Sequence, residues 1–322
     1  MIKPKVAISW NASCGGCDES IVDIEEKILD IASQVEFVLW PCAMDFKYDN
    51  VRKMEDREIT VSLINGSIQN SDQKEIVTIL RQKSQLVVAF GSCASFGGIP
   101  ALANLTSKDA IFRSSFLESP CLVNEEKVIP QPVTKEGEYT LTLPEIFETV
   151  YKLDDVIEVD YFLPGCPPTA TMIVDTLTAI LSGELPPKGS VLASDKALCS
   201  SCSRNETKPE TIEIESLKRI HQVEADPELC FMAQGILCMG PATRDGCDYP
   251  CINGNMPCTG CMGPLPGTDQ GAKMIGALGS VLSGKTEAEV ETVLDGIVDP
   301  AGTFYRYSLS TSLLGRKREG QV

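Results

Sequence analysis

Cysteine is the residue best placed to do chemistry in this chain: there are fourteen among 322 residues, and twelve of them sort into three groups of four. Cys14, Cys17, Cys93 and Cys166 are dispersed along the first half, whereas Cys199, Cys202, Cys230, Cys238, Cys247, Cys251, Cys258 and Cys261 crowd together further on. Thiolates are soft ligands, and four of them drawn from distant points of one unit ask for a metal or an iron-sulfur cluster. A lone Cys-x-x-Cys would leave zinc, a redox dithiol and coincidence open. A thioredoxin-type dithiol needs only two of the first four thiols, and structural zinc usually clips a small loop. Iron-sulfur chemistry, and hence electron transfer, is the better expectation.

The elements around the first quartet favour the same chemistry. Residues 5 to about 183 alternate short apolar runs with amphipathic segments, the pattern of a parallel sheet with helices on both faces. Strands are expected at Lys5 to Trp10, Val35 to Trp40, Glu58 to Asn65, Leu86 to Phe90 and Val156 to Leu163. Ile21, Ile24, Ile28 and Ile31 recur at helical spacing, as do Ile76, Ile79 and Leu80, with Asp72 as the expected N-cap. A last helix should follow Pro167 and stop at Gly183, and Cys121 to Thr142 reads as a hairpin insertion. Cys14 and Cys17 then follow the first strand, Cys93 follows Val87-Val88-Ala89-Phe90, and Cys166 follows Tyr161-Phe162-Leu163. Open α/β sheets gather ligands at the C-terminal ends of their strands, so these four should meet in one crevice. Gly15-Gly16, Gly91, Gly97-Gly98 and Gly165 would let the backbone bend around a bulky inorganic core.

The fold class expected is α/β: a flavodoxin-like parallel-sheet domain over residues 1–187 and an irregular Cys-rich domain over 188–322. The second domain shows no clear strands, and its helical pieces are a turn at Leu217 to Val223, a segment from Ala272 to Leu282 and a helix capped by Thr286 with Glu289 three residues on. Its eight cysteines can be divided into two quartets in many ways, and spacing alone does not choose. Cys42 and Cys121 have no partner pattern and are expected as buried free thiols.

Composition narrows the classes further. A net charge of −17 disfavours nucleic acid and anionic membrane as partners. A single histidine, His221, removes most of the material for His-rich zinc or haem sites. The opening Lys3-Pro4-Lys5 runs straight into Val6-Ala7-Ile8-Ser9-Trp10 with neither a signal-peptide core nor a membrane-spanning run, so a cytoplasmic location is expected. There, thiols are kept reduced and serve ligation rather than disulfides.

Three motifs make the reading specific. Cys14-Gly15-Gly16-Cys17-Asp18-Glu19-Ser20, Gly91-Ser92-Cys93-Ala94-Ser95-Phe96-Gly97-Gly98 and Pro164-Gly165-Cys166-Pro167-Pro168 resemble the signatures of the small subunit of nickel-iron hydrogenases. Asp45-Phe46-Lys47-Tyr48 and Gly98 to Leu105 further resemble the cytosolic methyl-viologen-reducing branch, which serves heterodisulfide reductase complexes. The resemblance implies that Cys14, Cys17, Cys93 and Cys166 hold a proximal [4Fe-4S] cluster facing the nickel-iron centre of a large partner subunit. It also divides the remainder: Cys199, Cys202, Cys230 and Cys238 for a distal cluster, Cys247, Cys251, Cys258 and Cys261 for a medial one. Membrane-associated relatives carry a histidine where Cys199 stands and usually three cysteines at the medial site. Three [4Fe-4S] clusters are therefore expected here, with electrons passing to an iron-sulfur or flavin acceptor.

No catalytic residue is expected in this chain itself, because hydrogen would be split in the partner. A hydrogen-sensing complex, a respiratory complex I-type subunit and a zinc-stabilised binding module are the rival readings. Gly16 and Gly98 stand where some oxygen-tolerant relatives carry extra cysteines, so oxygen sensitivity is the expectation. Glu19 could face the large subunit or help to move protons, and Trp10 and Trp40 are core or interface residues.

Overall fold

Strand β1 (Lys5–Trp10) buries Val6, Ala7 and Ile8 almost completely, as a strand covered on both faces must. The computed structural model describes residues 3–282 and 285–315. After β1 come α1 (Gly16–Val22), α2 (Lys27–Gln34), β2 (Glu36–Leu39), α3 (Tyr48–Arg52), β3 (Ile59–Asn65), β4 (Ile68–Asn70), α4 (Ser71–Lys83), β5 (Ser84–Phe90) and α5 (Ser92–Phe96). Then follow α6 (Lys108–Phe116), β6 (Val133–Glu136), β7 (Tyr139–Thr142), β8 (Ile146–Tyr151), β9 (Tyr161–Leu163) and α7 (Ala170–Ser182). Five strands pair in parallel in the order β2-β1-β3-β5-β9. Counting the parallel strands alone, that is 2-1-3-4-5, the flavodoxin-like order expected.

Alternate residues feed two cores. Val6, Ile8, Val88 and Phe90 join Ile21, Ile173 and Leu177, while Ala7, Val87 and Ala89 join Ile76, Val77 and Leu80 of α4. The hairpin β6–β7 lies within the expected insertion and pairs Val133 with Thr142 and Glu136 with Tyr139.

Three local expectations are corrected. The isoleucine series from Ile21 to Ile31 spans two helices, because Glu25 takes φ 56° between them. Asn70, not Asp72, caps α4: its side chain accepts from the Gln73 amide at 2.9 Å, and Asp72 lies in the first turn. The fifth parallel strand is only Tyr161–Leu163, preceded by a 3₁₀ turn at Leu153–Asp155. Asp160 explains its late start. Buried at 1% exposure, its carboxylate accepts from the Val87 amide at 2.8 Å and pairs with Arg81 at 2.6 Å and Lys188 at 2.5 Å.

Beyond Pro187 no named strand occurs among the described residues, and short 3₁₀ turns alternate with α8 (Pro250–Asn253), α9 (Gln270–Val281), α10 (Glu287–Leu294) and α11 (Pro300–Phe304). The turn expected near Leu217 to Val223 is Ile220–Gln222. Helix α10 has the capping box read from its sequence, Thr286 Oγ1 and Glu289 Oε2 each accepting from the other residue's amide. A third core here gathers Phe231, Met274, Leu278 and Phe304, and Cys238 belongs to it.

Candidate functional site

The first quartet sits where the sheet's topology puts it. Cys14 lies in the loop after β1, Cys17 in the first turn of α1, Cys93 in α5 after β5, and Cys166 just beyond β9. Cys17 and Cys93 are buried, Cys14 and Cys166 exposed, so the group opens to the surface on one side. Burial, then the neighbouring thiols, pushes Cys93 up to about 12 and Cys17 well above its ordinary range. Cys17, Cys93 and Cys166 each lie near enough to other thiols of the group, Cys14 included, for the neighbouring charge to raise them.

Glycine makes the crevice possible. Gly91 has φ 83° and ψ 166°, a conformation essentially restricted to glycine, and a Cβ there would run into the Cys17 sulfur. A Cβ on Gly98, at φ 58°, would lie 2.6 Å from the Cys93 sulfur. Both loops are tied down: the Ser92 amide donates to the Gly165 carbonyl at 2.8 Å, the Gly165 amide to Ser92 Oγ at 3.1 Å, and Ser67 Oγ to the Gly97 carbonyl at 2.6 Å.

The remaining eight thiols form two further gatherings. Cys199, Cys202, Cys230 and Cys238 line one cavity of about 250 Å³. Cys247, Cys251, Cys258 and Cys261 line another of about 260 Å³, and Cys166 of the first quartet lines it too. Burial raises Cys199 to about 12, Cys238 to about 11 and Cys261 to about 12, each helped by neighbouring thiols. Two contacts join the gatherings. Ser92 Oγ donates to the Cys261 carbonyl, and the Cys258 amide donates to the Cys238 sulfur at 3.3 Å. The order through the molecule is thus first quartet, then Cys247 to Cys261, then Cys199 to Cys238.

These surroundings fit iron-sulfur clusters. A zinc ion draws four sulfurs to about 2.3 Å from a single point. Thiols spread around cavities of 250 and 260 Å³ suit a larger inorganic core.

Other residues fall differently from their expectations. Cys42 and Cys121 are exposed rather than buried, because both lie in loops off the sheet. Cys42 stands beside the buried Asp18, whose carboxylate accepts from Asn65 Nδ2. Trp40 is a core residue at 4% exposure, while Trp10 is 43% exposed and packs on Gly15. Glu19 and His221 are exposed. Sequence reasoning missed Ser92 and Arg204. Ser92 lies inside the Gly91 to Gly98 motif, but nothing in its type announces the tie between loops. Arg204 stands two residues after Cys202, and the only available signal was a cation beside a ligand.

Residues 14–180 match the family model described as NADH ubiquinone oxidoreductase, 20 Kd subunit. The chain therefore belongs to that family, as an iron-sulfur electron-transfer subunit of the nickel-iron hydrogenase type. It is 41% identical to the iron-sulfur subunit of the F420-non-reducing hydrogenase of Archaeoglobus profundus over 97% of this chain and 98% of that one. With the matching subunit of the F420-non-reducing hydrogenase of Methanothermobacter thermautotrophicus it shares 36% identity over 99% of both chains. A [NiFeSe] hydrogenase from Desulfovibrio vulgaris Hildenborough has the same fold, with a TM-score of 0.55 and 17% identity over 84% of this chain and 96% of that one. A chain of this type works within a hydrogenase complex beside a nickel-iron large subunit. Among the described residues no helix is long and apolar enough to cross a membrane.

Proposed function

We propose that this chain is a three-cluster electron relay: it takes electrons from hydrogen oxidation at the large subunit's nickel-iron site and delivers them to a soluble iron-sulfur or flavin acceptor, such as a heterodisulfide reductase complex. One observation carries the reading. Three thiol quartets lie in series, with Cys166 lining the cavity of Cys247, Cys251, Cys258 and Cys261, and the Cys258 amide bonded to the Cys238 sulfur. Cys14, Cys17, Cys93 and Cys166 would hold the proximal [4Fe-4S] cluster, Cys247, Cys251, Cys258 and Cys261 the medial one, and Cys199, Cys202, Cys230 and Cys238 the distal one. When bound, the clusters supply one-electron carriers with potentials set by ligand charge, hydrogen bonds and burial.

The chain's own part is placement and tuning. Exposed Cys14 and Cys166 open the first site towards the partner, while buried Cys17 and Cys93 shield its other side. Amides aimed at sulfur, such as that of Cys258, stabilise negative charge on the ligands. The division near residue 187, a cytoplasmic location and oxygen sensitivity belong to the same proposal.

Metal analysis of the anaerobically purified complex tests it. About 12 iron and 12 sulfide per copy of this chain, with nickel only alongside a second polypeptide, are expected. About three zinc without sulfide would replace the relay by a structural metal protein.

A further inference from the structure

Arg204 is buried at 5% exposure beside the distal quartet, and no carboxylate among the described residues answers its charge. Two of its N–H groups reach the carbonyls of Asp226 and Leu229 at 3.0 and 3.2 Å. Two more reach the Ile252 carbonyl at 3.3 Å and Asn255 Oδ1 at 2.8 Å. All four acceptors are neutral. The Asp226 carboxylate is turned away, accepting from the amides of Glu228 and Leu229. The guanidinium lies 4.2 Å above the centre of the Phe231 ring, whose face excludes water, and Phe231 itself is 2% exposed.

The other buried arginine behaves differently. Arg244, at 6% exposure, meets the Asp195 carboxylate at 2.5 Å. A buried guanidinium without an anion is costly, and proteins rarely keep one unless something supplies the missing charge. Arg204 lines the same cavity as Cys199, Cys202, Cys230 and Cys238. The anion it lacks is the one those four thiolates and their iron would provide.

We propose that Arg204 is the buried counter-charge of the distal cluster and raises its reduction potential. This rests on the three-cluster reading above. A four-iron core on four thiolates is negative in both redox states and more negative when reduced, so a fixed cation favours the reduced form. Placed at the last of three sites, Arg204 biases electrons outward, away from the medial thiols. Lys208 also lines this cavity but is exposed. Water screens its charge, so it should matter much less.

The test is an EPR-monitored redox titration of the whole hydrogenase complex, comparing wild type with R204Q, R204K and K208Q. In R204Q one of three cluster midpoints should fall by the equivalent of about a tenfold loss in the reduction equilibrium, about 59 mV for one electron. The other two midpoints and the iron content should hold, R204K should recover most of the shift, and K208Q should move little. Three unmoved midpoints in R204Q at full iron would overturn the proposal, as would equal shifts in R204Q and R204K. If R204Q loses its distal iron, R204K decides: full iron with a wild-type midpoint supports the counter-charge, and loss of iron there too refutes it. Fewer than three titrating clusters in the wild type would instead bring down the relay reading itself.

Discussion

The proximal quartet is held by a sheet, whereas the other eight thiols are held by turns. Around the first, β3 and β5 are buried along most of their length and carry Cys93 on a frame that packs without any metal. Around the others, 3₁₀ turns such as Leu198–Ser200 and Ser203–Asn205 supply the backbone, and no named strand occurs there among the described residues. A hydrogen-bonded sheet can hold a ligand site open unaided, whereas short turns wrapped around ligands depend on what those ligands bind. The two regions should therefore fail differently.

Removing iron should show the largest difference. In the apo chain, amides of 194–262 are expected to lose nearly all protection from hydrogen exchange, while those of β1, β3 and β5 keep theirs. Equal protection in both regions would show that the turn-built part folds without iron and would erase the contrast.

Gly91→Ala attacks the sheet-built site alone. The new methyl would meet the Cys17 sulfur at a backbone conformation costing a non-glycine residue about 3 kcal/mol. The expected result is loss of about four iron per chain, the other two clusters remaining. Gly183→Ala is the control. It also has positive φ, but nothing lies within 4 Å of its added carbon. It should cost about 1 kcal/mol in thermal unfolding and no iron.

Asp160→Asn sharpens the contrast through pH. Burial alone would raise the Asp160 carboxyl, but Lys188, Arg81 and the Val87 amide outweigh it and hold the group below its ordinary 3.8. A lowered folded-state value means that the aspartate stabilises the fold above about pH 4 and that this is lost as pH falls through the folded value. The variant should lose about 3 kcal/mol at pH 7, since Arg81 is left without its anion. That deficit should shrink in acid, as followed by chemical denaturation from pH 7 to pH 3. A deficit independent of pH would mean that the carboxylate's charge is not what anchors β9.

How much of this was legible in the sequence follows the same division. Parallel strands announce themselves by unbroken apolar runs, so β1 ran from Lys5 to Trp10 as expected, and with it came the convergence of the first quartet at the strand ends. The C-terminal strand was misjudged because Val156, Ile157 and Val159 are apolar residues packed against a core from outside the sheet, and periodicity cannot distinguish the two. In the turn-built region, residues remote in sequence are joined by single hydrogen bonds, such as that from Cys258 to Cys238, and no local pattern encodes them. Arg204 was invisible for a related reason. Its burial comes from Phe231, Ile252 and Asn255, all more than twenty residues away.

The smallest effects make the finest test, because helix caps exist on both sides. Asn70 caps α4 in the sheet region and Thr286 caps α10 in the other, each accepting a backbone hydrogen bond at the third helical residue. Replacing either by alanine should cost about 1 kcal/mol. The magnitudes are alike, so what matters is where each is felt. If the regions unfold in separate steps once iron is removed, N70A should lower only the later transition of the sheet. T286A should then change nothing measurable, because α10 would already be lost. In the iron-loaded complex both helices are folded, and each variant should lower thermal stability by a similar small amount. An equal shift from both variants in the apo chain would mean that the two regions unfold together, with packing between Met262 and the sheet core holding them as one cooperative unit.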